Sequence, residues 1–125
     1  MLTPSLICLL LLTTAGGEKP AAPPSYTRDI DPLMRRYCAG CHGKRMPRAH
    51  FSVIEYEDLL RNRKGQAMIV PGQPDRSILL RTMEGHKPVM PPRDQKLQPS
   101  KQEIARVREW IAAGAKDDTP AEPNR

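Results

Sequence analysis

Two cysteines and a histidine, spaced as C-x-x-C-H at Cys38, Cys41 and His42, constrain this chain more than any other feature. Residues three and four positions apart lie on one face of a helix, so both sulfurs and the imidazole would point the same way. Such a set can form two thioether bonds to the vinyl groups of a porphyrin while the imidazole coordinates its iron. The motif therefore predicts one covalently bound haem c, with Cys38, Cys41 and His42 as its binding residues.

Other uses of two closely spaced cysteines remain open at this point. A disulfide across so small a loop is strained and usually redox-active rather than structural. A thioredoxin-like dithiol requires a βαβ context, and we find no alternating strand pattern longer than four residues. Zinc requires four ligands, and only His50 and His86 could join the motif, at a spacing that matches no common zinc pattern. A haem-free disulfide or metal module is therefore the alternative to haem.

The amino-terminal part of the chain contains its longest apolar run, the seven residues at 6–12. A transmembrane helix needs about 20 residues, so the run is too short to span a membrane. It fits the apolar region of a signal peptide followed by small residues, although no Lys or Arg precedes it. We therefore expect residues 1–17 to be a signal peptide and the protein to be exported to the periplasm or an equivalent extracytoplasmic space.

The remaining chain is long enough for one domain. We expect a Pro/Ala linker at 18–25, a folded unit at 26–116 and a polar, frayed tail at 117–125. The chain contains one Trp, three Tyr and one Phe, which are few aromatic residues for a self-contained core. A bound cofactor would supply the apolar volume that these side chains do not.

Helical periodicity predicts an all-α fold. Apolar residues from Ile30 to Cys41 recur at helical spacing, with Asp31 expected as N-cap and Pro32 at the first helical position.

Later segments continue this all-α pattern with long loops between short helices. In chain order we expect a loop at 44–52, short helices at 55–61 and 77–83, and a loop at 85–99. Residues 100–103 form a capping box that opens the last helix, and Gly114 is placed to end it.

Several motifs taken together resemble one family. They are Arg28-Asp29-Ile30-Asp31-Pro32, Cys38-Ala39-Gly40-Cys41-His42-Gly43, V-P-G-x-P-x-x-S at 70–77, Met90-Pro91-Pro92 and W-I-x-x-G-A at 110–115. This combination is similar to the planctomycete-type cytochrome c domain over residues 26–116. The resemblance implies a small class I-like cytochrome c fold, with long loops wrapped around one haem whose iron is bound by His and Met.

Met90 is the expected sixth ligand of the iron. It lies between Pro88 and Pro91 in a loop whose φ angles are partly fixed, and it matches the family's M-P-P. The other candidates are Met34, Met46, Met68, Met83 and His86. We expect Met34 and Met46 to be badly placed relative to His42, and Met68 and Met83 to pack in the core.

Iron with both axial positions filled by protein has no site for substrate. The sequence therefore predicts an electron carrier that works by outer-sphere Fe(III)/Fe(II) exchange, with no catalytic residues, rather than an enzyme. A five-coordinate haem protein that binds a small ligand or reduces peroxide, with Met90 unbound, is the second interpretation.

The chain has 20 Lys and Arg against 14 Asp and Glu, a net charge of +6. Basic residues between 32 and 54 occur without an acid among them; they are Arg35, Arg36, Lys44, Arg45 and Arg48. This basic cluster predicts either a redox partner with an acidic docking surface or neutralisation of the haem propionates. An ordinary solvated face is an equally open interpretation. Nucleic-acid binding is disfavoured because an exported protein would not meet nucleic acid.

Three further roles follow from residue type. We expect Trp110 to pack in the core and His50 and His86 to be exposed in loops. The Pro71 carbonyl is a candidate acceptor for the ring N–H of His42, a contact that such ligands normally have.

Overall fold

A computed structural model describes residues 21–43, 51–63 and 66–122. Over these ranges the chain is mostly helical, in agreement with the all-α prediction. The helices are α1 (Asp31–Tyr37), α2 (Tyr56–Leu60), α3 (Ile78–Met83) and α4 (Lys101–Ala112). A minimal antiparallel pair, β1 (Asn62–Arg63) and β2 (Gln66–Ala67), places Asn62 opposite Ala67. The short helices expected at 55–61 and 77–83 are thus confirmed, each slightly shorter than predicted.

The first helix begins earlier than the sequence predicts. A π-helical turn at Tyr26–Ile30 runs directly into α1, and the side chain of Ser25 caps this turn. The prediction of Asp31 as N-cap is wrong, because its carboxylate instead accepts the Nε–H of Arg35 at 2.9 Å. Pro32 does lie in the first turn of α1.

The chain after α4 returns to this starting turn. The Asp118 carboxylate accepts the backbone N–H of Thr27 at 2.8 Å and also the Ser25 hydroxyl. The chain is therefore held at Asp118, where the sequence predicted fraying.

Aromatic side chains form one end of the core. Tyr26 stacks on Trp110 with ring centroids 5.7 Å apart and meets the edge of Tyr56 at 5.2 Å. The indole N–H of Trp110 donates to the Lys116 carbonyl at 3.0 Å, and the Tyr56 hydroxyl donates to the Ala115 carbonyl at 2.7 Å. The prediction that Trp110 packs in the core is confirmed.

The last helix begins and ends as its sequence predicts. Ser100 and Glu103 form a capping box at its start, each side chain accepting the other's backbone N–H. Gly114, with φ of +108°, follows its last turn.

A tight turn places α3 against the segment that precedes it. Gly72 has φ of +78°, which glycine adopts without steric cost, and its N–H donates to the Ile111 carbonyl of α4 at 2.8 Å. The fully buried Ser77 hydroxyl accepts the Val70 N–H at 2.9 Å and donates to the Gln73 carbonyl at 3.0 Å.

Beyond this turn, the Leu79 N–H donates to the Met68 carbonyl at 3.0 Å. The chain around Met68, here called the Met68 segment (residues 66–70), therefore lies beside α3. Together they present one apolar surface to the middle of the molecule.

Candidate haem site

The C-x-x-C-H motif lies in turns that directly follow α1. The backbone N–H of His42 donates to the Cys38 carbonyl at 2.8 Å, and that of Cys41 donates to the same carbonyl at 3.2 Å. These bonds keep the helical spacing of the three side chains after the regular helix has ended at Tyr37. Both cysteines are half-buried free thiols rather than a disulfide.

Gly43 permits a close approach immediately after the histidine. A Cβ atom at Gly43 would lie 2.7 Å from the backbone oxygen of Ala39, closer than side-chain carbons approach other atoms. At Gly40, within the same motif, a Cβ atom would meet nothing within 4 Å. The chain can thus turn away from the motif at residue 43 only without a side chain.

The imidazole of His42 is oriented by the chain that follows the motif. Its Nδ1 lies 3.1 Å from the Phe51 carbonyl, and the Val53 N–H donates to the His42 carbonyl at 2.9 Å. A carbonyl can only accept, so Nδ1 carries the proton in this hydrogen bond, the arrangement that metal-binding histidines commonly have. The prediction of Pro71 as this acceptor is wrong. No sequence signal marks a backbone carbonyl such as that of Phe51.

Cys38, His42 and Met90 line one cavity of about 210 Å³. Most of its other walls are apolar and come from α3 and from segments before and after it. They include Phe51, Val53, Met68, Leu79, Met83 and Pro88. The fold therefore gathers three of the four predicted site residues around one apolar space.

A second cavity of about 750 Å³ adjoins the first and shares Cys38, His42 and Met90 with it. It adds Cys41 to the set, so all four predicted residues lie on the walls of these two cavities. Leu97, in the long loop before α4, also lines this cavity.

Met90 is held in place by its backbone. Its N–H donates to the Thr82 carbonyl of α3 at 3.0 Å, which fixes the proline-rich loop against the cavity. Met68 and Met83 are buried in the core, as predicted, although both also line the smaller cavity. Met34 is buried beneath α1, and Met46 lies outside the described residues.

The electrostatics of Cys38 differ from those of a redox dithiol. Burial raises the pKa of the Cys38 thiol to about 11, and negative charge on Cys41 would act in the same direction. Reactive dithiols instead have lowered pKa values that favour the thiolate. At neutral pH, Cys38 is therefore a thiol.

The described residues among the zinc candidates, Cys38, Cys41, His42 and His86, do not form a metal-binding group. Within the described ranges, no group of three or more His, Cys, Asp or Glu side chains is placed to hold a metal ion. His86 is exposed in its loop, as predicted, and His50 lies outside the described residues.

Residues 38–94 match a family model described as Planctomycete cytochrome C. This match supports a planctomycete-type cytochrome c domain over these residues. The match spans the C-x-x-C-H motif, the Met68 segment, α3 and Met90, which are the elements that build the two cavities. A cytochrome c domain indicates a haem cofactor and a haem-based role in electron transfer. No curated protein and no solved structure matches the chain.

The basic cluster predicted near this cytochrome c site is only partly visible. Arg35 uses its charge internally, since it pairs with Asp31 at 2.9 Å and donates to the Ile54 carbonyl at 3.1 Å. Arg36 is exposed, with its guanidinium 5.4 Å from the Tyr37 ring centroid. The other members, Lys44, Arg45 and Arg48, lie outside the described residues.

Proposed function

We propose that this protein is an exported monohaem c-type cytochrome that carries electrons by outer-sphere exchange. One observation supports this most directly: Cys38, His42 and Met90, which are distant along the chain, line one apolar cavity. Thiol, imidazole and thioether groups are the donors that covalent haem with His/Met ligation requires.

The residues around the cavities fit a haem group. Cys38 and Cys41 would hold it through thioethers, and the Nε2 of His42 and the sulfur of Met90 would bind its iron. When bound, haem supplies a one-electron Fe(III)/Fe(II) couple. The apolar walls, among them Val53 and Leu79, would exclude water and lower the local dielectric, which helps to set the reduction potential.

Backbone carbonyls position the two proposed axial ligands. Phe51 fixes the ring of His42 and Thr82 fixes the loop of Met90. Because both ligands are supplied by the protein, no iron position is left for a substrate. This arrangement favours a carrier over the five-coordinate alternative.

A haem stain after denaturing electrophoresis tests the covalent link. The full chain, purified from cells able to mature cytochromes c, should give a stained band, and substitution of both cysteines by alanine should abolish it. An unstained wild-type band would overturn the proposal.

Optical spectra test the axial ligands. We expect low-spin bands in the wild-type protein that cyanide and carbon monoxide do not shift. High-spin bands that shift with either ligand would instead establish the five-coordinate haem protein.

We also propose that residues 1–17 direct export. The apolar run at 6–12 supports this role. Over the described ranges, no helix is long and apolar enough to cross a membrane. Mass spectrometry of protein from the extracytoplasmic fraction should show that a leader of about this length has been removed; an intact amino terminus in the cytoplasm would contradict it.

A further inference from the structure

Ion pairing distinguishes the described basic side chains of this protein from one another. Many of the described arginines are neutralised by acids close to them. The pairs are Arg28–Asp29, Arg35–Asp31, Arg61–Asp58, Arg106–Asp29, Arg108–Asp75 and Arg108–Glu84. The charges of these arginines therefore contribute little to the field outside the molecule.

Four other basic side chains line the cavities. Arg36 and Lys96 line the larger cavity together with the cysteines. Arg93 and Lys101 line a further opening of about 540 Å³ that shares Met90. All four are exposed, and within the described part of the chain none of them forms an ion pair.

An apolar side chain lies among these charges. Leu97 is 54 % exposed and is the one exposed large hydrophobic residue in the described ranges. It lines the larger cavity together with Lys96 and Cys41. A hydrophobic contact surrounded by charged residues is the usual anatomy of a protein–protein interface.

The loop that holds Met90 concentrates positive charge. Residues 86–101 contain four Lys or Arg and one Asp, so this loop has a net charge of +3 out of +6 for the whole chain. Within the described residues, this loop therefore places several unpaired positive charges at the cavities, while others, such as Arg76 and Lys116, lie away from them.

We propose that this cleft rim, consisting of Arg36, Arg93, Lys96, Leu97 and Lys101, docks an acidic face of a one-electron redox protein. The inference rests on the proposed haem function and assigns its docking site. One electron passes between the partner's redox centre and the haem iron, and no bond forms or breaks. Complementary charge raises the rate of encounter, and Leu97 supplies an apolar contact beside the cysteine edge.

Two small oxidants of opposite charge test the field at the rim. The reduced full-length holoprotein is mixed in a stopped-flow instrument with anionic hexacyanoferrate(III) or with cationic tris(phenanthroline)cobalt(III). A rim variant carries Arg93→Glu and Lys96→Glu. Its matched control carries Arg76→Glu and Lys116→Glu, at exposed positions that line none of the cavities.

At low ionic strength, the rim variant should react about tenfold more slowly with the anionic oxidant and faster with the cationic one. The control, which has the same net charge, should change either rate by less than about threefold. The difference should fade above 0.1 M salt, where the Debye length is about 10 Å. Equal effects of the two variants would mean that net charge alone matters and would overturn the docking surface.

Leu97 is tested on an electrode coated with mixed methyl- and carboxylate-terminated thiols. The Leu97→Asn variant should lower the coverage of electroactive protein by about fivefold, since part of a leucine side chain is no longer buried. Unchanged coverage would show that Leu97 is not part of the docking surface. If these variants keep the wild-type haem spectrum and midpoint potential, an unchanged rate or coverage contradicts the docking surface alone. A wild-type protein without haem would instead refute the proposed function itself.

Discussion

Substitution of Gly43 by alanine tests whether the turn after the motif positions His42. The new Cβ atom would lie 2.7 Å from the Ala39 oxygen, whereas ordinary contacts begin at 3.4 Å. The obstructing atom belongs to the backbone, so no rotamer change can relieve the clash, and residues 39–43 must shift. Overpacking of this kind costs about 1–3 kcal/mol.

For a domain of this size, each 1 kcal/mol lowers the melting temperature by about 4–8 °C. We therefore expect Gly43→Ala to lower Tm by roughly 5–20 °C in thermal unfolding of the holoprotein, followed by circular dichroism. The displaced His42 ring should also weaken the low-spin absorption bands.

Gly40→Ala is the matched control for this substitution. It lies in the same motif, but its Cβ atom would meet nothing within 4 Å. Both changes reduce the flexibility of the unfolded chain in the same way, so their difference isolates the clash. If the two variants melt within about 2 °C of each other, Gly43 is not required at this turn and the reasoning from close approach is wrong.

Three further predictions concern single side chains. Met90→Ala should convert low-spin haem to a high-spin form that binds carbon monoxide and leave the covalent link intact, while Met83→Ala, in the same cavity, should stay low-spin; the reverse result in optical spectra would exchange their roles. Ser77→Ala leaves the partly buried Val70 N–H without its acceptor and should destabilise the protein by about 1–3 kcal/mol in chemical denaturation, against less than about 0.5 kcal/mol if the hydroxyl is dispensable. The Ser100 N–H, followed by the Tyr37 hydroxyl, lowers the pKa of Glu103 below its usual 4.5, so its stabilisation is present above that pH and is lost as pH falls through the lowered pKa. Glu103→Gln should therefore show a weaker loss of stability in acid than the wild type, and identical acid titrations would contradict this.

The sequence predicted those parts of the site that depend on short spacing. Three side chains within five residues share a face in any helical conformation, so the placement of Cys38, Cys41 and His42 needed no knowledge of the fold. The capping box at Ser100 and Glu103 is local in the same sense, because each side chain bonds to the other's backbone.

Contacts between distant segments could not be predicted in this way. The acceptor for His42 is the Phe51 carbonyl, and every residue carries such a group, so residue type gives no signal. The prediction of where the first helix starts was wrong for a related reason. Asp31 followed by Pro32 is a strong local signal, but Ser25 caps an earlier turn that also bonds to Asp118 far along the chain.

The placement of the aromatic residues fits a haem site formed by another part of the core. Tyr26, Tyr56 and Trp110 pack against one another and against backbone carbonyls, so that end of the core is complete. At the other end, aliphatic side chains such as Met68 and Leu79 line open cavities beside the motif. These cavity-lining side chains would gain dispersion contacts with an apolar group that fills the cavity. Haem would supply such contacts. The contacts among Tyr26, Tyr56 and Trp110 are made by the protein alone.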